Sequence, residues 1–554
     1  MFRKIFNVIH IGFEVFLLAL ISFIFFIIFS SQITPPVSHS ISIPKRIKIN
    51  ENHYVVGDNW LKKNKFGIWE MYLEGAPYER GIIYGVLSKE LTQYQEEVFV
   101  NQINTLVPSE SWQQVIRLLI GFFNKDLVTN IPSENLQEIY GVSHSFSSKY
   151  NYIASKYQRI LNYHAAHDIG HALNDYSVVG CSSFGLKNSK TTDGKLVIGR
   201  NFDFYVGDDF AKEKLILFMK PTKGIPFASY SWAGFTGVAS GLNTEGISVT
   251  INASKSDLPR SSKTPISLLA REILQYAHSI PQAIAIAKKR DIFVSETIMV
   301  SSAKENRIVL IEKSPSKTGV YETNEDQLIC TNHYQSNTFK KDKVNLQNID
   351  ESDSKYRYNR IQKLIAQKKQ FTLNDVVKVL RDQKNINGDT LGMGNPRAIN
   401  QLIAHHSVIF HPSDLKMYVS TKNFQLGTYI GYDLKTLFST KKIGDIDTIA
   451  EDPFLKSKSY IKFQYFNKLK KQISNYLIFD TPLTLTRTQI NSFISNNSES
   501  YITYEMLGKY FAKKKSYKNS SRYFKRALRK KLASKKVRLE INQLINENIK
   551  QSKN

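Results

Sequence analysis

Cysteine is the rarest residue type in this chain, with only two among 554 residues. So few cysteines exclude a disulfide-stapled scaffold and a zinc module built on CxxC pairs. Acidic residues are also scarce: 48 Asp and Glu face 75 Lys and Arg, a formal net charge of +27. Apolar residues make up 42% of the sequence, which is enough for a sizeable core and excludes a disordered chain. A mean hydropathy of −0.30 excludes a polytopic membrane protein.

The N-terminus carries an apolar run over residues 11–29, nineteen residues with one acid, Glu14. A bilayer-spanning helix needs roughly 20 such residues, so we predict an uncleaved transmembrane anchor over residues 1–31. A cleaved secretory signal and a buried core helix are the alternatives. Because Arg3 and Lys4 precede the run, we expect the N-terminus in the cytoplasm and the body outside it, on the periplasmic or extracellular side.

Beyond this run the composition changes three times. Prolines predict a linker over residues 32–50. Residues 51–180 are mostly helical in pattern. Residues 181–440 carry β-branched and aromatic strand patterns interleaved with helices, and residues 441–554 are basic and helical. We predict domain boundaries at these changes.

The positive charge is concentrated at the C-terminus. Residues 501–554 hold 16 Lys and Arg against 3 Asp and Glu, a net charge of +13. Part of this tail has the spacing of a tetratricopeptide helical hairpin, at Tyr504, Leu507, Gly508, Phe511, Phe524 and Ala527. No recognition motif for nucleic acid accompanies the charge, so no nucleic-acid partner is predicted. Contact with a protein or with anionic lipid is one interpretation, and a solvated helical face is the simplest.

One segment has the residue types of a nucleophilic site. Cys181 follows Gly180, and an Asp193-Gly194 turn brings Arg200 and Asp203 back beside it. A neighbouring cation lowers the pKa of a thiol, and a carboxylate can hold an ammonium or orient an arginine. No histidine base belongs to the set. A free α-amino group, with a pKa near 8, would serve as the base if the chain is cut between Gly180 and Cys181.

These residues resemble the motifs of N-terminal-nucleophile cysteine hydrolases. That group includes choloylglycine hydrolase, penicillin V acylase, acid ceramidase, N-acylethanolamine acid amidase and the peptidase C45 acyltransferases related to isopenicillin N acyltransferase. The similar segments are GAPYERG at 75–81, GCSS at 180–183, GRNFDF at 199–204, SWAGFTG at 231–237, GLNTEGISVTIN at 241–252, CTNH at 330–333 and YRYNR at 356–360. The resemblance covers residues 60–435. It is specific because these segments occur in the same order as in the family. A longer first hairpin at 190–192 and the basic tail depart from the simple members.

The resemblance implies an α+β fold, a four-layer αββα sandwich, and self-cleavage between Gly180 and Cys181. Residues 51–180 would stay bound as a small subunit, and no cofactor or metal is implied. Cys181 would be the nucleophile. The other implied site residues are Arg200 for the thiolate, Asp203 for the α-amino group, Asn252 and Asn332 for the oxyanion, and Arg357 as support.

These assignments have structural alternatives. Arg200 and Asp203 could form an ion pair under the sheet, the two asparagines could be caps, and Arg357 could be a solvated helix charge. Cys330 lies close to the second asparagine, in the same predicted pocket. We predict no disulfide between Cys330 and Cys181, because it would abolish the nucleophile.

A histidine face precedes the nucleophile. Spacings of three and four put His164, His167 and His171 on one side of a helix, with Asp168 beside them. A zinc site, a role in the pocket or in self-cleavage, and plain packing are the three interpretations. The segment lacks the Glu of an HExxH helix, so no metal is predicted. The three histidines and Trp232, from the 231–237 motif, are possible pocket residues.

We therefore predict a membrane-anchored, autoprocessed hydrolase or acyltransferase that cleaves a linear N-acyl amide through an acyl-enzyme on Cys181. A lipid-like amide is slightly favoured by the predicted anchor. The alternative from another class is a non-enzymatic membrane-tethered adaptor, with a degenerate hydrolase body and a helical-repeat tail. A metal-dependent hydrolase built on the histidine face is a third possibility.

Overall fold

The computed structural model describes residues 2–38, 42–107, 109–173, 180–204, 207–257, 259 and 261–553. Within helices, the side chains of residues 2–9, 11, 20, 24, 106 and 166–173 are outside this description. The described residues form an α+β fold, the class that the sequence predicts.

The described part of the chain contains 18 strands and 17 α-helices. The strands are β1 (Ile47–Asn50), β2 (His53–Val56), β3 (Asn59–Lys63), β4 (Trp69–Gly75), β5 (Ser182–Leu186), β6 (Val197–Phe202), β7 (Lys214–Pro221), β8 (Phe227–Trp232), β9 (Ser240–Asn243), β10 (Ile247–Ala253), β11 (Glu296–Ser302), β12 (Arg307–Lys313), β13 (Thr318–Tyr321), β14 (Gln327–Cys330), β15 (His406–His411), β16 (Lys416–Ser420), β17 (Tyr429–Asp433) and β18 (Asp447–Ile449). The helices are α1 (Phe2–Ser30), α2 (Pro77–Leu87), α3 (Lys89–Leu106), α4 (Glu110–Phe123), α5 (Ser133–Ser143), α6 (Lys156–Leu173), α7 (Ile266–Tyr276), α8 (Ile280–Lys289), α9 (Lys343–Glu351), α10 (Ser354–Ala366), α11 (Leu373–Leu380), α12 (Leu434–Thr440), α13 (Lys458–Phe479), α14 (Arg487–Asn496), α15 (Tyr501–Lys513), α16 (Tyr517–Leu528) and α17 (Lys535–Gln551).

The strands form two sheets. The larger has eleven strands in the order β1-β2-β3-β4-β7-β8-β9-β10-β11-β12-β13, and the smaller has seven in the order β14-β5-β6-β15-β16-β17-β18. Neighbouring strands are antiparallel except β4 and β7, which run parallel with Trp69 opposite Leu215 and Gly75 opposite Pro221. This parallel pair joins the segment before residue 180 to the sheet that follows it.

Three apolar cores lie between the two sheets and on the outer face of each sheet. Successive side chains of a strand point to opposite faces of the sheet. Val408 therefore lies in a core shared by both sheets, and its neighbour Ile409 lies in a core against α10 and α11. On the outer side of the larger sheet, Val249 of β10 packs in a third core with Leu269 of α7. Helices therefore cover the outer face of each sheet.

The segment 51–180, predicted to be mostly helical, contains helices α2 to α6 and also strands β2 to β4. Strands β3 and β4 occupy residues 59–63 and 69–75, and the helices of this segment begin at Pro77. Aromatic residues here favour strand: Trp60 and Tyr72 face each other across the β3–β4 pair and stack with ring centroids 6.1 Å apart. This segment thus contributes three strands of the larger sheet.

The apolar N-terminal run is helical. Within the described residues, the stretch Gly12–Ser30 of α1 is the one helix long and apolar enough to cross a membrane. The start of the predicted linker packs against the body, because the side chain of Ile33 is buried in one of its apolar cores. Gln158 of α6 donates a hydrogen bond to the Ser31 carbonyl at 2.6 Å.

The basic tail folds into helices that contact the body. Leu402 and Leu426 of the body share a core with Phe463 of α13 and Leu507 of α15. A Cβ at Gly508 would lie 2.5 Å from the Phe524 ring, so α15 and α16 approach each other closely at this point. Gly508 and Phe524 are two of the residues whose spacing predicts a helical hairpin. The tetratricopeptide resemblance itself stays a prediction.

Candidate active site

The β5–β6 hairpin brings Arg200 to the predicted nucleophile. Gly194 takes a φ of +71° in the turn, and the strands then pair with Ser183 opposite Arg200. From this position the Arg200 Nη2 lies 3.8 Å from the Sγ of Cys181. Both side chains are buried, with 1% or less of their surface exposed.

Arg200 also joins the two sheets. Its guanidinium donates hydrogen bonds to the Ser240 hydroxyl and to the Ile251 carbonyl of the larger sheet. Ser240 in turn lies 2.9 Å from Nε2 of His406. Burial raises the pKa of the Cys181 thiol to about 11, and the charge of Arg200 opposes that rise. The arginine is therefore the main group that favours the thiolate.

Two further predicted residues hold the backbone of Cys181. Its N–H donates to Asn332 Oδ1 at 3.0 Å, and its carbonyl accepts from Arg357 Nη1 at 2.7 Å. The other terminal nitrogen of Arg357 donates to the same Asn332 oxygen at 2.6 Å. Arg357 is 1% exposed and lies on α10, so the structure contradicts a solvated helix charge.

Asp203 lies on the other side of the Gly180–Cys181 bond. Its carbonyl accepts from the Gly180 N–H at 3.1 Å. Its carboxyl is fully buried, and the Oδ1 atom has no hydrogen-bond partner among the described residues. Burial raises the pKa of Asp203 to about 8, against the opposing charges of Arg357 and Arg200. One carboxyl oxygen therefore has no partner in the described part of the chain, in a site whose burial favours the protonated form of Asp203.

Gln401 is a site residue that the sequence did not indicate. Its Nε2 donates to the Gly180 carbonyl at 3.3 Å and to Asp203 Oδ2 at 3.2 Å. A Cβ at position 180 would lie 2.3 Å from this nitrogen, which explains the glycine there. Gln401 belongs to no recognised motif and lies in a loop before β15, so only the fold brings it to the site.

Asn252 lies near the same cluster, but its side chain is hydrogen-bonded to other protein groups. Its Oδ1 accepts from the Ser183 hydroxyl at 2.9 Å, and its Nδ2 points to the carbonyls of Cys330 and Thr331 at 3.4 and 3.5 Å. The Nδ2 of Asn332 is likewise engaged, with the Ala253 carbonyl at 2.9 Å. In this uncleaved chain both amide groups predicted for the oxyanion are occupied by backbone carbonyls.

The two cysteines are both free and buried. Cys330 ends β14, and its thiol lies 3.6 Å from the Thr331 carbonyl. Burial raises the pKa of Cys330 well above its ordinary value, and the positive charge of Arg200 lowers it only in part. Cys330 is therefore suited to packing.

A small cavity of about 40 Å³ lies between the larger sheet and the helices of the preceding segment. Its wall is mainly aromatic, and it includes the predicted pocket residues His164 and Trp232. Phe204 lines it and stacks on Phe202 with centroids 5.6 Å apart, and the Arg200 guanidinium lies 4.3 Å from the Phe202 ring, so ring contacts connect the cavity to the cluster around Cys181. Phe204 stacks on Trp232 with centroids 6.1 Å apart.

His164 is held by packing and hydrogen bonds. Its Nε2 accepts from the Thr236 N–H at 3.0 Å, so Nδ1 carries the proton and donates to the Ile160 carbonyl at 2.8 Å. Burial lowers the pKa of His164 to about 4, which keeps the ring neutral. Both nitrogens are used, so a metal ion would have to displace one partner. The side chains of His167 and His171 lie outside the described residues.

The arrangement can perform acyl transfer to sulfur. A thiol next to a guanidinium is a nucleophile, and the carbonyl of Gly180 precedes it in the chain. Hydrogen-bonding groups surround the bond on both sides: Gln401 donates to the Gly180 carbonyl, Arg357 donates to the Cys181 carbonyl, and Asn332 accepts from the Cys181 N–H. Within the described part of the chain, no group of three or more His, Cys, Asp or Glu residues could hold a metal ion.

Comparisons with known proteins find similarity to a curated sequence and to solved structures, each over part of this chain. A curated relative, an uncharacterized protein of Archaeoglobus fulgidus, is 26% identical over 238 residues, 40% of this chain and 39% of the relative. The chain thus spans about two fifths of that relative's length. Two solved structures are similar over a larger share of their own chains. One is a Caenorhabditis elegans N-acylethanolamine-hydrolyzing acid amidase ortholog, at 20% identity and a TM-score of 0.32, covering 42% of this chain and 93% of that one. The other is a mutant of the conjugated bile acid hydrolase from Clostridium perfringens, at 14% identity and a TM-score of 0.31, covering 49% and 97%.

A family model also matches the chain, over residues 189–425. Five of the six predicted catalytic residues lie in this stretch, from Arg200 to Arg357, whereas Cys181 lies eight residues before it. The family is described as acyl-coenzyme A:6-aminopenicillanic acid acyl-transferase. Residues 189–425 are therefore related to this acyl-transferase family, in agreement with the resemblance of the motifs.

Proposed function

We propose that the protein is an autoprocessed cysteine hydrolase or acyltransferase that cleaves a linear N-acyl amide through an acyl-enzyme on Cys181. The observation that carries the proposal is the 3.8 Å approach of Arg200 Nη2 to Cys181 Sγ, beside a scissile bond held at both ends. A buried thiol kept against a guanidinium is the arrangement that nucleophilic chemistry needs.

Self-cleavage is the first step. The Cys181 sulfur attacks the Gly180 carbonyl carbon, the thiol proton goes to the departing nitrogen, and the C–N bond breaks as a thioester forms. Water then hydrolyses the thioester, leaving a carboxylate on Gly180 and a free α-amino group and thiol on Cys181. Gln401 Nε2, already bonded to the Gly180 carbonyl, donates to the oxyanion that develops there.

The new α-amino group is the general base of the mature enzyme. It takes the proton from Sγ as the thiol attacks the substrate carbonyl, and it returns a proton to the leaving amine. The unused Oδ1 of Asp203 is an acceptor for the ammonium, and that positive charge lowers the pKa of the carboxyl. In the mature site, Asn252 and Asn332 donate to the substrate oxyanion after their side chains exchange backbone carbonyls for it.

The small subunit stays bound after cleavage, for two reasons. The parallel β4–β7 pair crosses the cut and keeps the first subunit inside the larger sheet. A buried triad, Arg80–Glu138–Arg271, also crosses it, and the Arg271 guanidinium donates to both Glu138 oxygens at 2.7 Å. Burial opposes the charge of Glu138, but the two guanidinium groups outweigh it and lower its pKa to about 2.

The aromatic cavity receives the acyl group, and its side chains move apart to admit it, because the cavity holds only about 40 Å³ in this structure. Its wall of Phe99, Phe146, Trp232 and Phe235 suits an apolar chain or ring rather than a charged one. Phe204 connects this wall to the cluster around Cys181, so an acyl group in the cavity has its carbonyl end near the nucleophile. The catalytic region, residues 181–440, then forms a four-layer αββα sandwich together with strands β1 to β4 and the helices that precede residue 180, and α1 anchors it outside the cytoplasm.

The proposal is tested with a panel of fatty-acyl, bile-acyl and phenoxyacetyl amides. The full chain should release one class of acyl group, and acid quenching should trap it as a thioester on Cys181. Cys181→Ala should release none. Cys330→Ala, the same change at the other buried cysteine, should leave release unchanged. Equal release by wild type and Cys181→Ala would refute the proposal, and no release from any amide would favour the adaptor interpretation.

A further inference from the structure

Helix α4 presents an apolar face to solvent. Four residues spaced along one side of the helix are 36–63% exposed: Trp112, Val115, Leu118 and Leu119. We call these four residues the α4 stripe. Side chains at positions i, i+3 and i+7 of a helix share one face, so the stripe is continuous. Exposed apolar patches of this kind mark surfaces that bind something.

The stripe lies where α1 leaves its apolar run. Phe26 of α1 meets Phe122 of α4 with ring centroids 6.2 Å apart. At Gly121 an added Cβ would lie 2.8 Å from the Cβ of Ser31, the residue that follows α1. Ile33 is already buried in the body. The end of α1 is therefore packed directly against α4.

Residues beside the stripe have the composition of a membrane–water boundary. Arg117 donates to the Tyr152 carbonyl at 2.7 Å, and its guanidinium lies 5.8 Å from the Tyr152 ring. Tyr152 is 62% exposed. Amphipathic aromatic and cationic side chains concentrate at the headgroup level of membranes, with apolar neighbours directed into the acyl region.

We propose that the α4 stripe docks into the lipid bilayer that α1 spans, so that the body rests on the membrane surface instead of hanging from a flexible tether. The occupant is the lipid surface, since a helix that spans the bilayer up to Ser30 holds α4 at its boundary. The stripe then enters the interface by roughly 5–10 Å. This inference rests on the anchoring function of α1 and is independent of the chemistry at Cys181.

Tryptophan quenching by brominated lipids tests the contact. The full chain carrying Cys181→Ala, which stays whole, is inserted in phosphatidylcholine vesicles with bromines at defined acyl depths. We expect strong quenching by shallow bromines. Trp112→Phe should remove most of it, because Trp69 and Trp232 are over 90% buried. Trp60→Phe, a matched change on strand β3, should preserve it.

Two results would overturn the proposal. Equal quenching in the parent and in Trp112→Phe would show that Trp112 does not touch lipid, and a Trp112 shielded from both water and bromine would show a protein occupant instead. A mature N-terminus beyond residue 30 would also overturn it, because α1 would then be a removed signal. Amide cleavage by such a chain would still leave the proposed catalytic function intact.

Discussion

Replacing Gln401 by Leu should slow self-cleavage while leaving the fold in place. The change removes two hydrogen bonds, at 3.3 Å to the Gly180 carbonyl and at 3.2 Å to Asp203 Oδ2. Loss of one oxyanion donor slows acyl transfer by roughly 10²- to 10³-fold. Because the bond to Gly180 is long, we expect the lower end, about 10²-fold, which corresponds to about 2.7 kcal/mol.

The assay is a pulse-chase of the full chain synthesised with membranes, in which gel separation follows the fraction cut at Gly180 over time. Gln275→Leu is the matched control. Gln275 is equally buried, and its Nε2 donates to the Lys223 carbonyl at 2.9 Å, in a different part of the molecule. Cleavage of Gln401→Leu at the wild-type rate would refute the role of Gln401. Equal slowing of both variants would attribute the effect to stability.

Three further predictions concern the charged residues. Arg200→Gln should move the pH profile of Cys181 alkylation to higher pH, because the cation that opposes the raised thiol pKa is lost; an unchanged midpoint would contradict this. Glu138→Gln should lower the urea concentration at which the two cleaved pieces separate, since breaking a buried ion pair costs about 3–5 kcal/mol. Size-exclusion chromatography in urea measures this separation. An unchanged elution volume would show that the Arg80–Glu138–Arg271 triad does not hold the subunits together. In an uncleavable Cys181→Ala chain, the pKa of Asp203 is about 8 when folded and near 4 when unfolded, so the native state binds the extra proton in between. The free energy of unfolding should therefore fall as pH rises from 4 to 8, and Asp203→Asn should flatten that decline in urea titrations; the same slope in both chains would contradict the raised pKa.

Local patterns predicted much of the central fold. The Asp193-Gly194 turn joins β5 to β6 as predicted, and it sets Arg200 opposite Ser183. Turn chemistry and strand period are local properties, so a single sequence carries them. The pairing that positions the arginine could thus be predicted from a few neighbouring residues.

Long-range features could not be predicted in this way. No local pattern signals the parallel β4–β7 pair, because two strands separated by more than 130 residues meet only through the tertiary fold. Gln401 was missed for the same reason, since its contact with Gly180 spans 221 residues. Strands β3 and β4, inside the segment predicted to be mostly helical, were likewise not indicated, because cross-strand aromatic packing, as between Trp60 and Tyr72, forms only in the folded sheet.

The central claim is that Cys181 becomes the N-terminal residue of a separate subunit by its own chemistry. Denaturing mass measurement of the purified full chain tests it most directly. Wild type should give two species whose masses correspond to cleavage between Gly180 and Cys181, and Cys181→Ala should give one uncut species. A wild-type chain that stays whole across this bond would contradict the account.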